Sequence, residues 1–223
     1  MKIYLLPGLG YNSRIYDRLN LGDYKVRCLN WIEPEQNELI SDYAKRLFVE
    51  LPPNGEKTIL IGHSFGGMVS QEIAAMKRVD KIILISSVKS RAEIPLSFRL
   101  VRRLGLHKFF TKEISIETVR YWGGAHGFTE IDEQDLFKTM VGEHSNNYLQ
   151  WALKSLSNWA PPKIPSDTSI FQIHGTMDKT FPIRLIKNPD VVIENGSHIM
   201  LYKQPDKIAG IILNEINTAY NTS

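Results

Sequence analysis

Two short stretches, Thr58-Ile-Leu-Ile61 and Ile82-Ile-Leu-Ile85, are apolar or β-branched at every position. A strand with one wet face alternates apolar and polar residues, so a continuous run marks a strand covered on both faces, as in a parallel sheet between helices. Further runs lie at Ile3–Leu6, Lys25–Leu29, Ser169–Ile173 and Asp190–Glu194. Helical patterns fall between or after them at Asn37–Leu51, Phe65–Arg78 and Pro205–Tyr220, the last with Ile208, Ile211, Ile212 and Ile216 on one face. The alternation predicts an α/β chain with a mostly parallel sheet of about six strands.

From Val88 to Pro165 this rhythm breaks. No strand pattern occurs, and three or four helices are expected, one with Leu149, Ala152, Leu153 and Leu156 at i, i+3, i+4 and i+7. Pro161-Pro162 stops it. The expectation is a core of residues 1–87 and 166–223, with residues 88–165 inserted after the fourth strand as a helical cap over the sheet's ligand edge.

Composition narrows the function classes. Across 223 residues, 43% hydrophobic content supplies a core without cross-links, and the single Cys28 has no internal partner. Neither it nor the six histidines show a C-x-x-C or H-E-x-x-H spacing, so no metal is expected. A net charge of +3 is too small to argue for nucleic acid. No apolar run approaches the ~20 residues of a membrane span, and Ile3–Leu6 is too short for a signal peptide. The chain therefore reads as a cytoplasmic monomer or homodimer acting on a small molecule, with no nucleic-acid or membrane partner.

Gly62-His63-Ser64-Phe65-Gly66 follows the strand Thr58–Ile61 and opens a helix at Phe65. In G-x-S-x-G the serine occupies a sharp, strained strand-to-helix turn, and glycines two residues either side leave room for it. Gly62 and Gly66 fill those positions, and the Phe65 N–H is left at a helix N-terminus, suited to developing negative charge. Asp178, in His174-Gly-Thr-Met-Asp178, and His198, in Asn195-Gly-Ser-His198, each follow a later strand. Ligands of open α/β sheets bind beyond those strand ends.

With these motifs in the order Ser64, Asp178, His198, the sequence resembles the α/β-hydrolase superfamily over essentially its whole length. The resemblance implies a three-layer core and a serine nucleophile, Ser64, whose proton passes to His198 while Asp178 orients the imidazole. It also implies an oxyanion hole from the N–H groups of Phe65 and Leu9, the latter in the Pro7-Gly-Leu-Gly10 loop. No cofactor is expected, because this serine chemistry needs none. The first motif strand begins at residue 3, which implies a minimal sheet without the usual antiparallel edge. The 20 positions between Asp178 and His198 imply a reduced intervening helix. The expected reaction is hydrolysis of a small or medium carboxylic ester or thioester through an acyl-enzyme. Two alternatives keep the same residues: a C–C bond hydrolase or lyase on a carboxylated metabolite, and a slow-turnover ligand-binding signalling protein.

Selectivity is expected in the cap. Between Lys89 and Lys112 seven basic residues face one acid, Glu93, whereas Glu113–Glu143 carries seven acids. Either the basic segment steers an anionic substrate or the two segments partly neutralise one another. Trp122, Phe128, Trp151 and Trp159 are candidates for an acyl pocket, or core aromatics.

Overall fold

β3 (Thr58–His63) is buried at every residue, which is what its unbroken apolar run demands. In the computed structural model, which describes residues 1–49 and 56–221, it is flanked by β1 (Lys2–Leu6) and β4 (Lys81–Ile85). β2 (Val26–Cys28), β5 (Ser169–Gly175) and β6 (Val191–Ile193) complete the order β2-β1-β3-β4-β5-β6, with every pairing parallel. Six parallel strands match the expected sheet.

Parallel strands need crossover connections, and helices provide them. α1 (Ile40–Leu47) packs beside α2 (Phe65–Met76), which lies across β1, β3 and β4. α1 starts later than the periodicity predicts, because Asn37 takes a left-handed φ of 58° and Leu39 is extended. The predicted end of that helix, Glu50–Leu51, lies outside the described residues. At the other end of the chain, α7 (Met200–Lys203) leads into α8 (Pro205–Asn221), which buries Ile208, Ile212 and Ile216 completely and pairs Glu215 with Lys81 of β4.

Between β4 and β5 the described chain contains no strand. It forms α3 (Leu96–Arg103), α4 (Lys112–His126), α5 (Ile131–Gly142) and α6 (Asn146–Asn158), with two 3-10 turns. Local sequence sets their ends. Thr111 and Ser145 cap α4 and α6 through their hydroxyls, and Glu130 and Glu133 form a capping box at the start of α5. α4 packs on α5, α3 on α6, and α6 on α2, so these helices support one another.

Candidate active site

The strand-to-helix turn after β3 brings Ser64 to the C-terminal edge of the sheet with φ 52° and ψ −120°, a strained conformation for a side chain with a Cβ. The turn fits only because its flanks lack side chains. A Cβ on Gly66 would stand 2.1 Å from the Leu6 carbonyl oxygen, and one on Gly62 would stand 2.5 Å from the Gly67 Cα. The Ser64 N–H donates to the Ile85 carbonyl, and the Ser87 hydroxyl donates to the Ser64 carbonyl at 2.6 Å, which tie the turn to β4 and the loop after it.

Asp178 follows β5 and His198 follows β6, on neighbouring strands, so the sheet itself brings them beside Ser64. The His198 Nδ1–H donates to Asp178 Oδ2 at 2.9 Å, and the Ser64 hydroxyl donates to His198 Nε2 at 2.9 Å. This tautomer is the one the partners permit, since an ionised carboxylate only accepts. The other Asp178 oxygen accepts the Thr180 and Phe181 N–H groups, both at 2.9 Å. Burial pushes the Asp178 carboxyl up, but His198, His174 and the Phe181 N–H together hold it below the usual carboxylate range. A single 3-10 turn, Ile183–Leu185, replaces a full helix between Asp178 and His198, and the distances are unstrained.

The two expected anion donors stand at the same edge. Phe65 is the first residue of α2, so its N–H has no acceptor within the helix. In the loop after β1 the Tyr11 N–H closes a turn on the Gly8 carbonyl, and no described backbone bond uses the Leu9 N–H. Trp31 holds this loop by donating from Nε1 to the Gly8 carbonyl, and the Tyr16 hydroxyl donates to the Leu6 carbonyl just before it.

The side chain of His63, next to Ser64 in the turn, also reaches the site: its Nε2–H donates to the His198 carbonyl at 2.9 Å and its ring lies 5.1 Å from the His198 ring. Burial, then the charge of His198, pushes its pKa down to about 3, so it acts as a fixed neutral donor. Although it directly precedes Ser64 in the chain, it ties down the backbone of His198. His174 is buried in β5 and donates from Nε2 to the Phe181 carbonyl. His126, at the end of α4, reaches Thr180 with Nδ1 at 2.6 Å, and burial followed by the charge of His198 lowers its pKa to about 4. No sequence motif marks His126, because its place depends on how α4 packs.

The four candidate pocket aromatics separate. Phe128 is fully buried against Tyr11 and Phe137. Trp159 is core, donating its indole N–H to the buried Glu72 carboxylate. Trp151 lies behind Phe65, its ring tilted 34° against that of Tyr43 at 4.2 Å. Trp122 stands edge-on to His126. A cavity of about 630 Å³ lies beyond Trp151, lined by Glu38, Glu72, Lys154 and Trp159, and does not include Ser64. Ser64 and His198 are only 4% and 3% exposed, so the site is covered. Among the described residues no cluster of side chains could hold a metal, and no helix is long and apolar enough to cross a membrane.

Solved structures with the same fold include an esterase from Exiguobacterium antarcticum, 14% identical, with a TM-score of 0.74 over 97% of this chain and 92% of that one. A carboxylesterase from the thaumarchaeon Nitrososphaera gargenis is 20% identical, with a TM-score of 0.71 over 100% and 92%. A meta-cleavage product hydrolase from Pseudomonas fluorescens is 18% identical, with a TM-score of 0.68 over 98% and 91%. No curated protein matches. The profile of the Alpha/beta hydrolase family matches residues 3–211, nearly the whole chain. On that match and on the sheet order, the chain belongs to the alpha/beta hydrolase family.

Proposed function

We propose that the protein is a serine esterase, cleaving small or medium carboxylic esters or thioesters through an acyl-enzyme on Ser64. The observation that carries the reading is the continuous relay from Ser64 Oγ through His198 to Asp178, with both hydrogen bonds at 2.9 Å. His198 takes the Ser64 proton as Oγ attacks the ester carbonyl, then returns it to the departing alcohol. Asp178 holds the imidazole tautomer and stabilises the imidazolium, while the N–H groups of Leu9 and Phe65 receive the oxyanion. Water repeats the sequence to release the acid. Residues 88–165 act as the cap that excludes bulk water and selects the acyl group.

The test is steady-state hydrolysis of p-nitrophenyl esters of increasing chain length, by the protein and by Ser64→Ala. Turnover that disappears in Ser64→Ala supports acyl transfer at Ser64, and the optimum chain length sizes the pocket. Equal rates for the two proteins on every ester would refute the esterase reading.

A further inference from the structure

On a helix at 100° per residue, α3 shows solvent two different stripes. Leu96, Leu100 and Leu104 succeed one another at intervals of four residues and are 71%, 55% and 60% exposed. Arg99, Arg102 and Arg103 occupy the adjoining stripe, and all three are exposed. The inward side is taken by Phe98, which packs on the core with its ring 5.9 Å from Phe181, and Val101 is half-buried beside it. The leucines are therefore not the helix's core face turned outward by a loose fit, since α3 already has one. The following 3-10 turn extends the surface with Leu106, Lys108 and Phe109, the last 67% exposed. Among the described residues, Arg99, Arg102, Arg103 and Lys108 form no ion pair.

We propose that the outward face of α3 and the turn after it, residues 96–109, is a docking surface for an anionic lipid bilayer. A short helix with leucines on one stripe and arginines beside them lies in the plane of a membrane interface, its apolar side chains in the acyl boundary and its cations among the headgroups. The charge argues for an anionic surface, because the face carries Arg99, Arg102, Arg103 and Lys108, and residues 96–109 include no acid. It argues against a second copy of this chain, since a two-fold contact through this face would set arginines against arginines. Neither the cavity beyond Trp151 nor the one beside Asp178 is lined by these leucines, so the surface offers protruding side chains suited to a fluid phase, not a cleft for a peptide. Such a surface needs no membrane-spanning helix, and it departs from the expectation that the chain has no membrane partner.

Binding is read without turnover, so the inference stands apart from ester hydrolysis. The protein is spun with sucrose-loaded vesicles of phosphatidylcholine alone, or of phosphatidylcholine and phosphatidylglycerol in equal parts, at low and high salt. Expected is co-sedimentation with the anionic vesicles only, weakened by salt. The triple variant Arg99→Gln, Arg102→Gln, Arg103→Gln lowers the partition coefficient on the order of a hundredfold. Leu96→Ser, Leu100→Ser, Leu104→Ser lowers it at least about tenfold. Because these side chains are exposed, both variants should keep the wild-type circular dichroism spectrum. The proposal is overturned if the wild type stays in the supernatant, if it binds phosphatidylcholine alone equally well, or if either variant binds like wild type. A dimer in solution that the leucine variant dissociates, without vesicle binding, would assign the face to a second copy and also overturn it.

Discussion

Replacing Asp178 by Asn should separate catalysis from folding. Asn keeps the shape and keeps an oxygen for the Thr180 and Phe181 N–H groups, which accept no alternative placement of the amide nitrogen because they are donors themselves. The amide NH2 must then face His198 Nδ1, now 2.9 Å from a donor instead of a carboxylate. The imidazole responds by moving its proton to Nε2, which points at Ser64 Oγ and can no longer accept the hydroxyl proton. With the base in the wrong tautomer, kcat on p-nitrophenyl acetate should fall about 10³- to 10⁴-fold, which is about 4–5.5 kcal/mol of barrier. Stability should change far less. The charge-assisted bond to His198 is lost, a cost of about 1.5–3 kcal/mol, but a buried carboxylate is removed as well, which offsets much of it. The assay is kcat against pH beside a urea unfolding curve at pH 7. A variant that keeps more than a tenth of the wild-type kcat, or one that loses activity only because it is unfolded, would refute this account of Asp178.

Three further substitutions probe other parts of the structure. His63 has its pKa lowered to about 3 from an ordinary 6.5, so the unfolded chain takes up its proton first and stability drains away as pH falls through that window. His63→Gln removes that drain: between pH 7 and pH 5 it should lose about 2 kcal/mol less than wild type by urea titration, and equal losses would contradict a buried neutral His63. Gly66→Ala puts a Cβ 2.1 Å from the Leu6 carbonyl and 2.4 Å from that of Pro7, backbone atoms that cannot swing away. Unfolding free energy should drop by about 3 kcal/mol or more, and a wild-type melting curve would refute the packing. Burial raises the Glu72 carboxyl pKa despite the Trp159 N–H, so its ionised form opposes folding above the ordinary carboxylate range. Glu72→Gln keeps the acceptor and should raise the melting temperature at pH 7 by roughly 2–4 °C, about 1 kcal/mol, with little gain at pH 4; a lower melting temperature at pH 7 would show that the charge is stabilising.

Local sequence was enough for the sheet and for the strand ends that carry Ser64, Asp178 and His198. Periodicity alone separates strands covered on both faces, such as Thr58–Ile61, from helices such as Pro205–Asn221, because the two repeat at different intervals. The glycines around Ser64 announce the strained turn, and chain order gives Asp178 and His198 their strands, since each must lie just beyond a C-terminal strand end. What periodicity cannot show is which side chain meets which across the fold. The donation from His63 to the His198 carbonyl joins residues 135 apart, and the bond from Trp159 to Glu72 joins residues 87 apart, so no local window contains them. Residues 88–165 were hardest of all. Nothing in the sequence of α3 marks its leucines as exposed, and only the packing of Phe98 inward leaves them facing water. A helix's apolar stripe is written in its sequence, but the side it buries is decided by the surfaces that surround it.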